Sequence, residues 1–430
     1  MKALIFGGSG KMGAAVAWEL ARRDDVERVG LVDRRPEGLG RTISWLNSPK
    51  VTAVEADVTD AGALTAIMQQ YDVGISTLPD RRTSYRTAET AIRAGFPMVD
   101  LLEEFHRRPD RYELEGLMLP PGVALQDYGE WLHELAVENG TLFLSGIGFA
   151  PGMSNITCGE GIRKLDRARR AVARVGGIPA KPFADRHPLR YMITWQFEHV
   201  LREYMVKVDV IRDGRVVEVD ATSEREPFRF DRLGMDEQLE CAITPGMPSF
   251  LFTRSALEEF SEKTVRWPGH WQAVETLKEC GLLELEPVRV GGSRVVPREL
   301  LLAQLEPRLR PVPGETDVCI MWCSVEGEQG GRPARVDYWL WDQADPVSGI
   351  SSMGRVTGFS AAIAAWMLGS GQLEQTGVVA PEDCFDGPRY QTYVAELAKH
   401  DVRILEEVSI LEPSGTDLRN PQTEGCGTGA

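Results

Sequence analysis

The sequence predicts an α/β protein: a Rossmann dinucleotide-binding domain followed by a second α+β domain with a mixed or antiparallel sheet. Three observations predict it. The chain opens MKALIFGGSGKMG, an apolar run at Ala3–Phe6 followed by Gly8, Gly10 and Gly13 in the G-x-G-x-x-G spacing and then a helical pattern, AAVAWELARR. Strand, glycine turn, helix is the context that gives this spacing meaning. A second apolar run, Val29–Val32, ends on Asp33, 20 positions after Gly13 (33 − 13), where an acidic residue can bind the adenosine ribose hydroxyls. The first hundred residues then keep alternating strand and helix, which implies a parallel sheet with right-handed crossovers.

Taken in order, the strands are expected at 3–6, 29–32, 51–55, 73–77 and 98–100, with helices near 12–23, 61–71 and 83–95. The first glycine permits the tight turn, the second lets the backbone approach a pyrophosphate, and the third lets the helix pack on the strand. Lys11 and Met12 stand where the helix N-terminus offers free N–H groups to phosphate. Ligands on such a sheet lie at the carboxyl ends of the strands. That rule selects Asp57 and Val58, Leu78 and Pro79, and Asp100. Arg34, directly after Asp33, could instead pair with a 2′-phosphate, so NAD is the expected cofactor with NADP as the alternative. Residues 104–121, rich in charge and proline, read as an inserted excursion; a helix near 126–139 and a strand near 141–146 follow.

The first domain is placed at 1–145 and the second, for substrate and dimerisation, at 146–352. Pro151 can open a helix, with Ser154 or Asn155 bonding backbone near its start. From 171 onward, runs such as ARRAVARVGG, YMITWQF, MVKVDVI, RVVEVDA, ETDVCIMWCSV and RVDYWLW read as strands. Helical pieces are expected near 255–262, 270–281 and 297–307. The small-residue stretch 353–371 reads as a helix closed by glycine that returns to the first domain, in a segment of about 353–385. The tail 414–430 has almost no apolar content and is expected to be disordered.

Composition narrows the function. With 48 Lys plus Arg against 64 Asp plus Glu, the net charge of −16 argues against general binding to nucleic acid or anionic membrane. No apolar stretch approaches the ~20 residues that span a bilayer, and the N-terminus enters a strand at once, so no signal peptide is expected. Seven scattered cysteines without a C-x-x-C pair suit a reducing cytoplasm. Cys319 and Cys323 read as core thiols, and no metal site is expected.

Several segments together resemble the saccharopine dehydrogenase family: GGSGKMG at 7–13, FPMVDLLEE at 96–104, GFAPGMSNI at 148–156, VGGIPAKP at 175–182, EKTVRWPGH at 262–270 and the late VTGFSAAIAAWMLGSGQLEQTGVVAPE at 356–382. Within the family the layout most resembles the lysine 6-dehydrogenase group, of which RVVPRELLLAQLEPRL at 294–309 is a further echo. The resemblance implies a nicotinamide cofactor and chemistry at a carbon–nitrogen bond of an amino acid. The segment CAITPGMPSFLFTR at 241–254 departs from both the lysine enzyme's loop and the Asn-Arg-Asp loop of the glutamate-forming enzymes.

The expected reaction is oxidative deamination of the L-lysine side-chain amine to the 6-semialdehyde, which cyclises to piperideine-6-carboxylate. Saccharopine dehydrogenase and carboxynorspermidine-type dehydrogenase are the rivals within the class, and a non-catalytic NAD(P)-binding protein is the rival outside it. An ammonium has no lone pair, so the site needs a base; an α-carboxylate calls for arginine. Asp100 and Tyr204 match family residues and are the first candidates for catalysis, with His270 as a proton relay and Arg266 as the carboxylate ligand. Each has a bland counterpart: a cap or loop charge for Asp100, core packing for Tyr204, and bracing of the Pro268-Gly269 turn for Arg266 and His270. A homodimer with a small amino-acid substrate is the expected assembly.

Overall fold

The computed structural model describes residues 1–109 and 117–411, so the 414–430 tail lies outside the described residues. The first domain runs β1 (Lys2–Phe6), α1 (Lys11–Ala21), β2 (Arg28–Asp33), α2 (Pro36–Leu46), β3 (Val51–Glu55), α3 (Ala61–Met68), β4 (Val73–Ser76), α4 (Arg81–Arg93), β5 (Met98–Asp100), α5 (Tyr128–Glu138) and β6 (Leu142–Leu144). Short apolar strands buried on both faces suit a parallel sheet covered by helices, and every pairing in this sheet is parallel. Helix α2, not among the expected elements, buries Leu39, Thr42 and Leu46 on one face, and Pro36 at its first turn opens it.

The second domain runs α6 (Met153–Arg163), β7 (Arg167–Pro179), α7 (Lys181–Ala184), α8 (Phe197–Glu203), β8 (Lys207–Arg212), β9 (Arg215–Asp220), β10 (Glu226–Phe230), β11 (Glu237–Ile243), α9 (Phe250–Thr253), β12 (Glu259–Arg266), α10 (His270–Glu279), the hairpin β13 (Val288–Val290) and β14 (Ser293–Val295), α11 (Pro297–Leu309), β15 (Asp317–Gln329) and β16 (Arg332–Gln343). A π-helical turn, Gly354–Phe359, leads into α12 (Ser360–Gly369). The chain closes with β17 (Gly377–Val379), α13 (Pro381–Cys384), α14 (Gly387–Ala398) and β18 (Leu405–Ile410).

The two sheets exchange strands late in the chain. The first has the order β17-β6-β5-β4-β1-β2-β3, and the second contains the path β10-β11-β12-β7-β15-β16-β18. The second is mixed: β12 lies parallel to β7, and β7, β15, β16 and β18 alternate antiparallel. Between the sheets sits α12, buried along nearly its whole length. Its approach depends on small residues: a Cβ on Gly358 would meet the Ala15 Cβ at 2.7 Å, and one on Gly369 would meet Val73 at 3.0 Å. One continuous apolar core therefore joins Ile5, Ile75 and Val99 of the first sheet to Met321, Cys323 and Val325 of the second. Among the described residues, no helix is long and apolar enough to cross a membrane.

Three expectations are corrected. Residues 255–262, expected as helix, contribute to β12, whose polar residues Ser261, Glu262 and Lys263 are all buried. Pairing on both sides, with β11 and β7, overrides the local pattern. The run YMITWQF forms no strand: residues 191–196 are irregular and Phe197 opens α8. Residues 104–121 are not an excursion at their start, because Glu104, Phe105 and His106 are buried.

Candidate active site

Strand ends, the glycine loop and the inner face of the second sheet enclose one cleft of about 820 Å³. Its cofactor half is built at the carboxyl ends of the first-sheet strands. Gly10, Lys11 and Met12, Asp33 and Arg34, Asp57 and Val58, and Leu78 and Pro79 all line it. Gly8 and Gly13 do not; they make the loop possible from behind. A Cβ on Gly8 would meet Leu31 at 2.7 Å, and one on Gly13 would meet the Gly7 carbonyl oxygen at 2.6 Å. The turn itself belongs to Gly7, at φ +80°, a residue the motif spacing passed over. Thr77 pins this turn, its hydroxyl donating to the Phe6 carbonyl at 2.8 Å. No side chain caps α1, so its first-turn N–H groups are left for a ligand.

At the end of β2, the Asp33 carboxylate accepts hydrogen bonds from the Ser9 hydroxyl and from the Arg35 backbone at 3.0 Å. Despite partial burial, these donors hold its pKa below the ordinary carboxylate value. Arg35, also at the cleft lip, reaches both Asp33 and Ser9.

Arg266 organises the part of the cleft that the second domain contributes. It ends β12, is 4% exposed and faces the cleft. Its Nε and Nη2 donate to the Tyr204 hydroxyl at 3.3 and 3.0 Å, and Nη1 donates to the Val265 carbonyl at 2.9 Å. Five donors less these three leave two N–H groups, the number a bidentate carboxylate clamp uses. Behind it, His270 Nδ1 lies 2.8 Å from the Leu189 carbonyl and must donate to it; Nε2 therefore accepts from Tyr204 at 3.1 Å. Burial, with the Arg266 charge adding to it, pushes the His270 pKa down to about 3, so the ring is neutral. Tyr204 and His270 do not line the cleft. Tyr204 caps α8 rather than following a strand. The pair stands behind the guanidinium and orients it.

Asp100 is likewise placed outside the cleft, fully buried. It accepts from the Leu102 backbone at 2.6 Å and from the Ser84 hydroxyl at 2.8 Å. Ser84 also bonds His106 Nε2 at 2.9 Å, and His106 Nδ1 meets Ser145 at 2.8 Å. Burial raises the Asp100 pKa to about 6. The geometry does not place Asp100 at a reacting amine; it fixes the loop whose next residues, Leu101, Leu102 and Glu103, do enter the cleft.

Three glutamates in the cleft were not anticipated. Glu103 comes from that loop, Glu203 from the end of α8 and Glu262 from β12. Glu203 hydrogen-bonds Glu103, and burial together with the Glu103 charge raises its pKa well above the carboxylate range. Burial raises Glu103 and Glu262 too. Glu262 accepts from the Thr244 hydroxyl at 2.8 Å and packs on Gly246, where a Cβ would meet its carboxyl carbon at 2.6 Å. The only advance signal was acidic residues inside otherwise core-forming runs. No group of three or more His, Cys, Asp or Glu able to hold a metal occurs among the described residues.

Residues 3–144 match the family model described as saccharopine dehydrogenase NADP binding domain, and 148–402 match the saccharopine dehydrogenase C-terminal domain. The NADP(+), L-glutamate-forming saccharopine dehydrogenase of Schizosaccharomyces pombe is 22% identical over 445 residues, covering 86% of this chain and 92% of that protein. The enzyme of the same name from Pyricularia oryzae is 20% identical over 400 residues, covering 77% of this chain and 83% of that protein. In fold, the L-Glu-forming saccharopine dehydrogenase of Saccharomyces cerevisiae superposes with a TM-score of 0.74 at 20% identity, covering 95% of this chain and 99% of that one. With both of its domains matched, the chain belongs to the saccharopine dehydrogenase family and is an NAD(P)-dependent oxidoreductase.

Proposed function

We propose that the protein oxidises the carbon–nitrogen bond of an amino acid, with the side-chain amine of L-lysine as substrate. The observation that carries this reading is Arg266: a buried guanidinium with two uncommitted N–H groups, lining the same cleft as the glycine loop. One such clamp suits one α-carboxylate. Arg81, which also lines the cleft, is already engaged by Glu104 at 3.1 Å and by the Glu103 carbonyl. Saccharopine carries three carboxylates and would meet Glu103, Glu203 and Glu262 there. The bound nicotinamide supplies the hydride acceptor; the protein's own groups bind the carboxylate, deprotonate the amine and exclude bulk water.

Saccharopine is the second reading, favoured by the names of the S. pombe and P. oryzae relatives. A carboxynorspermidine-type polyamine substrate is the third. The reverse assay separates the first two. Ammonia with the cyclic imine and reduced cofactor should give lysine, and glutamate in place of ammonia should give nothing. Saccharopine formed faster than lysine would overturn the lysine reading.

Asp33 supports a modest preference for NAD, because its carboxylate meets the position of a 2′-phosphate. Asp33→Ala removes that charge and frees Arg35, so the ratio of kcat/KM for NADP over NAD should rise about tenfold. An unchanged ratio would show that Asp33 serves only Ser9 and Arg35.

A further inference from the structure

We propose that Glu103 and Glu203, with Glu262 beside them, form the subsite that takes the cationic amino group of the substrate and receives its proton. This rests on the amino-acid dehydrogenase reading above and names the chemistry its substrate must carry: a second ammonium in addition to the carboxylate on Arg266.

The strongest sign is an acceptor without a donor. Glu203 is 5% exposed, and apart from the Glu103 carboxyl no donor among the described residues reaches its Oε1. A buried acceptor left open costs about 1–3 kcal/mol, more for a charged group, and proteins meet that cost with a ligand, an ordered water or a proton. The acceptor belongs to a cleft-lining residue. Its partner must therefore be a donor, and an ammonium has three.

The second sign is how the carboxyls are paired. Glu103 belongs to the dinucleotide-binding domain and Glu203 to the second domain; both line the cleft and their carboxyls are hydrogen-bonded to each other. Two touching carboxyls cannot both ionise near neutrality; they share one proton and carry about one negative charge. Arg81 of α4 and Arg202 of α8 face Glu103. Arg266 and Glu262 of β12 face Glu203, with Tyr204 on its own helix, and His199 lies on the previous turn. His199 is held below its ordinary pKa by burial and by Arg81, so it is neutral and does not compete as a cation. The pair is thus a single acidic site in the cleft that Glu262 and Arg266 also line.

The proton balance follows. The ammonium N–H bond breaks and an O–H bond forms on the ionised carboxyl of the pair. The electron pair stays on nitrogen. It then forms the C=N bond as the neighbouring carbon gives up hydride to the oxidised nicotinamide, the acceptor the family's activity already supplies. The proton that the two carboxyls shared goes to solvent as the ammonium binds, so the transferred proton takes its place and the pair is reset when product departs.

The test uses the full chain loaded with cofactor and compares L-lysine with L-norleucine, which has the same carboxylate and α-amine but ends in a methyl group. Lysine should bind at least about tenfold more tightly. Calorimetry at pH 7 in buffers of different ionisation enthalpy should show about one proton released per lysine bound. In Glu203→Gln the lysine advantage and the proton release should both vanish, with affinity for reduced cofactor retained. Glu262→Gln, which lies beside the pair, should weaken the advantage in part and serves if the first variant does not fold. Lysine turned over normally by both variants, with unchanged KM and unchanged discrimination, would overturn the subsite and leave the lysine reading standing. If wild-type protein does not oxidise lysine, 1,5-diaminopentane replaces it, with 1-aminopentane as its methyl-ended counterpart. Tighter binding of the diamine, lost in Glu203→Gln, would then support the subsite and refute lysine as substrate. No preference for the extra ammonium in either pair of probes would overturn the subsite whatever the enzyme oxidises.

Discussion

Arg266→Lys is expected to raise KM for the amino-acid substrate about a hundredfold while changing kcat less than about tenfold. Lysine keeps the charge but loses the fork. It cannot bond Tyr204 twice, bond the Val265 carbonyl and still present two parallel donors to a carboxylate. A carboxylate clamp acts in the ground state and the transition state alike, so its loss appears chiefly in KM. Alanine would be a poorer probe. It would empty the space beside the Tyr191 and Trp271 rings, whose centroids lie 5.0 and 5.8 Å from the guanidinium carbon, and remove the cation that faces Glu203. A fall in melting temperature with KM unchanged would return Arg266 to bracing the turn that follows it. Tyr204→Phe makes a useful companion: the hydroxyl orients Arg266 without touching substrate, so its removal should move KM in the same direction by less.

The cofactor half of the cleft was legible because its chemistry is backbone chemistry. A glycine turn, a helix start and an acidic residue after the second strand are local features with fixed spacing, and Gly10, Asp33, Asp57 and Leu78 all line the cleft. Gly7 was passed over because Gly8 satisfies the same spacing; only the φ of +80° distinguishes them. The substrate half was less legible because it is assembled by long-range pairing. Glu103, Glu203 and Glu262 stand on a loop, a helix end and a strand, and read singly each is an ordinary surface charge. The burial of Glu262 depends on the parallel pairing of β12 with β7, and that of Glu203 on α8 packing against α10 and α11, neither of which leaves a mark on the local pattern. Asp100 misled for the opposite reason. Its position at a strand end is where a ligand belongs, but the Leu102 backbone and Ser84 claim its oxygens first. Arg266 was singled out from the EKTVRWPGH segment because an α-carboxylate calls for arginine, and the structure sets it on Tyr204 at the cleft.

Arg355→Met is expected to cost about 3–5 kcal/mol of stability, seen as a drop of order 10 °C in melting temperature. Arg355 lies in the π-helical turn between the two sheets, 8% exposed, and its Nε and Nη2 reach the Asp342 carboxylate at 3.2 and 3.1 Å. Asp342 is 4% exposed and takes one further bond, from the Ser352 hydroxyl at 2.6 Å. Removing the guanidinium leaves that carboxylate buried without its counter-charge, which is where most of the loss arises. The His400 carbonyl, which accepts from Nη2 at 2.6 Å, loses its donor as well. The effect should reach the cleft, because Met353 and Thr357 from the same segment line it and Gly358 rests on Ala15 of α1. Affinity for reduced cofactor should therefore fall along with stability. The double variant Arg355→Met with Asp342→Leu removes both charges and should regain at least about 1 kcal/mol over the single one, since an apolar pair can replace a buried ion pair at little cost. A single variant that melts within a degree or two of the parent would show that the segment is held by its apolar contacts alone, and the ion pair would then be incidental to the docking of α12.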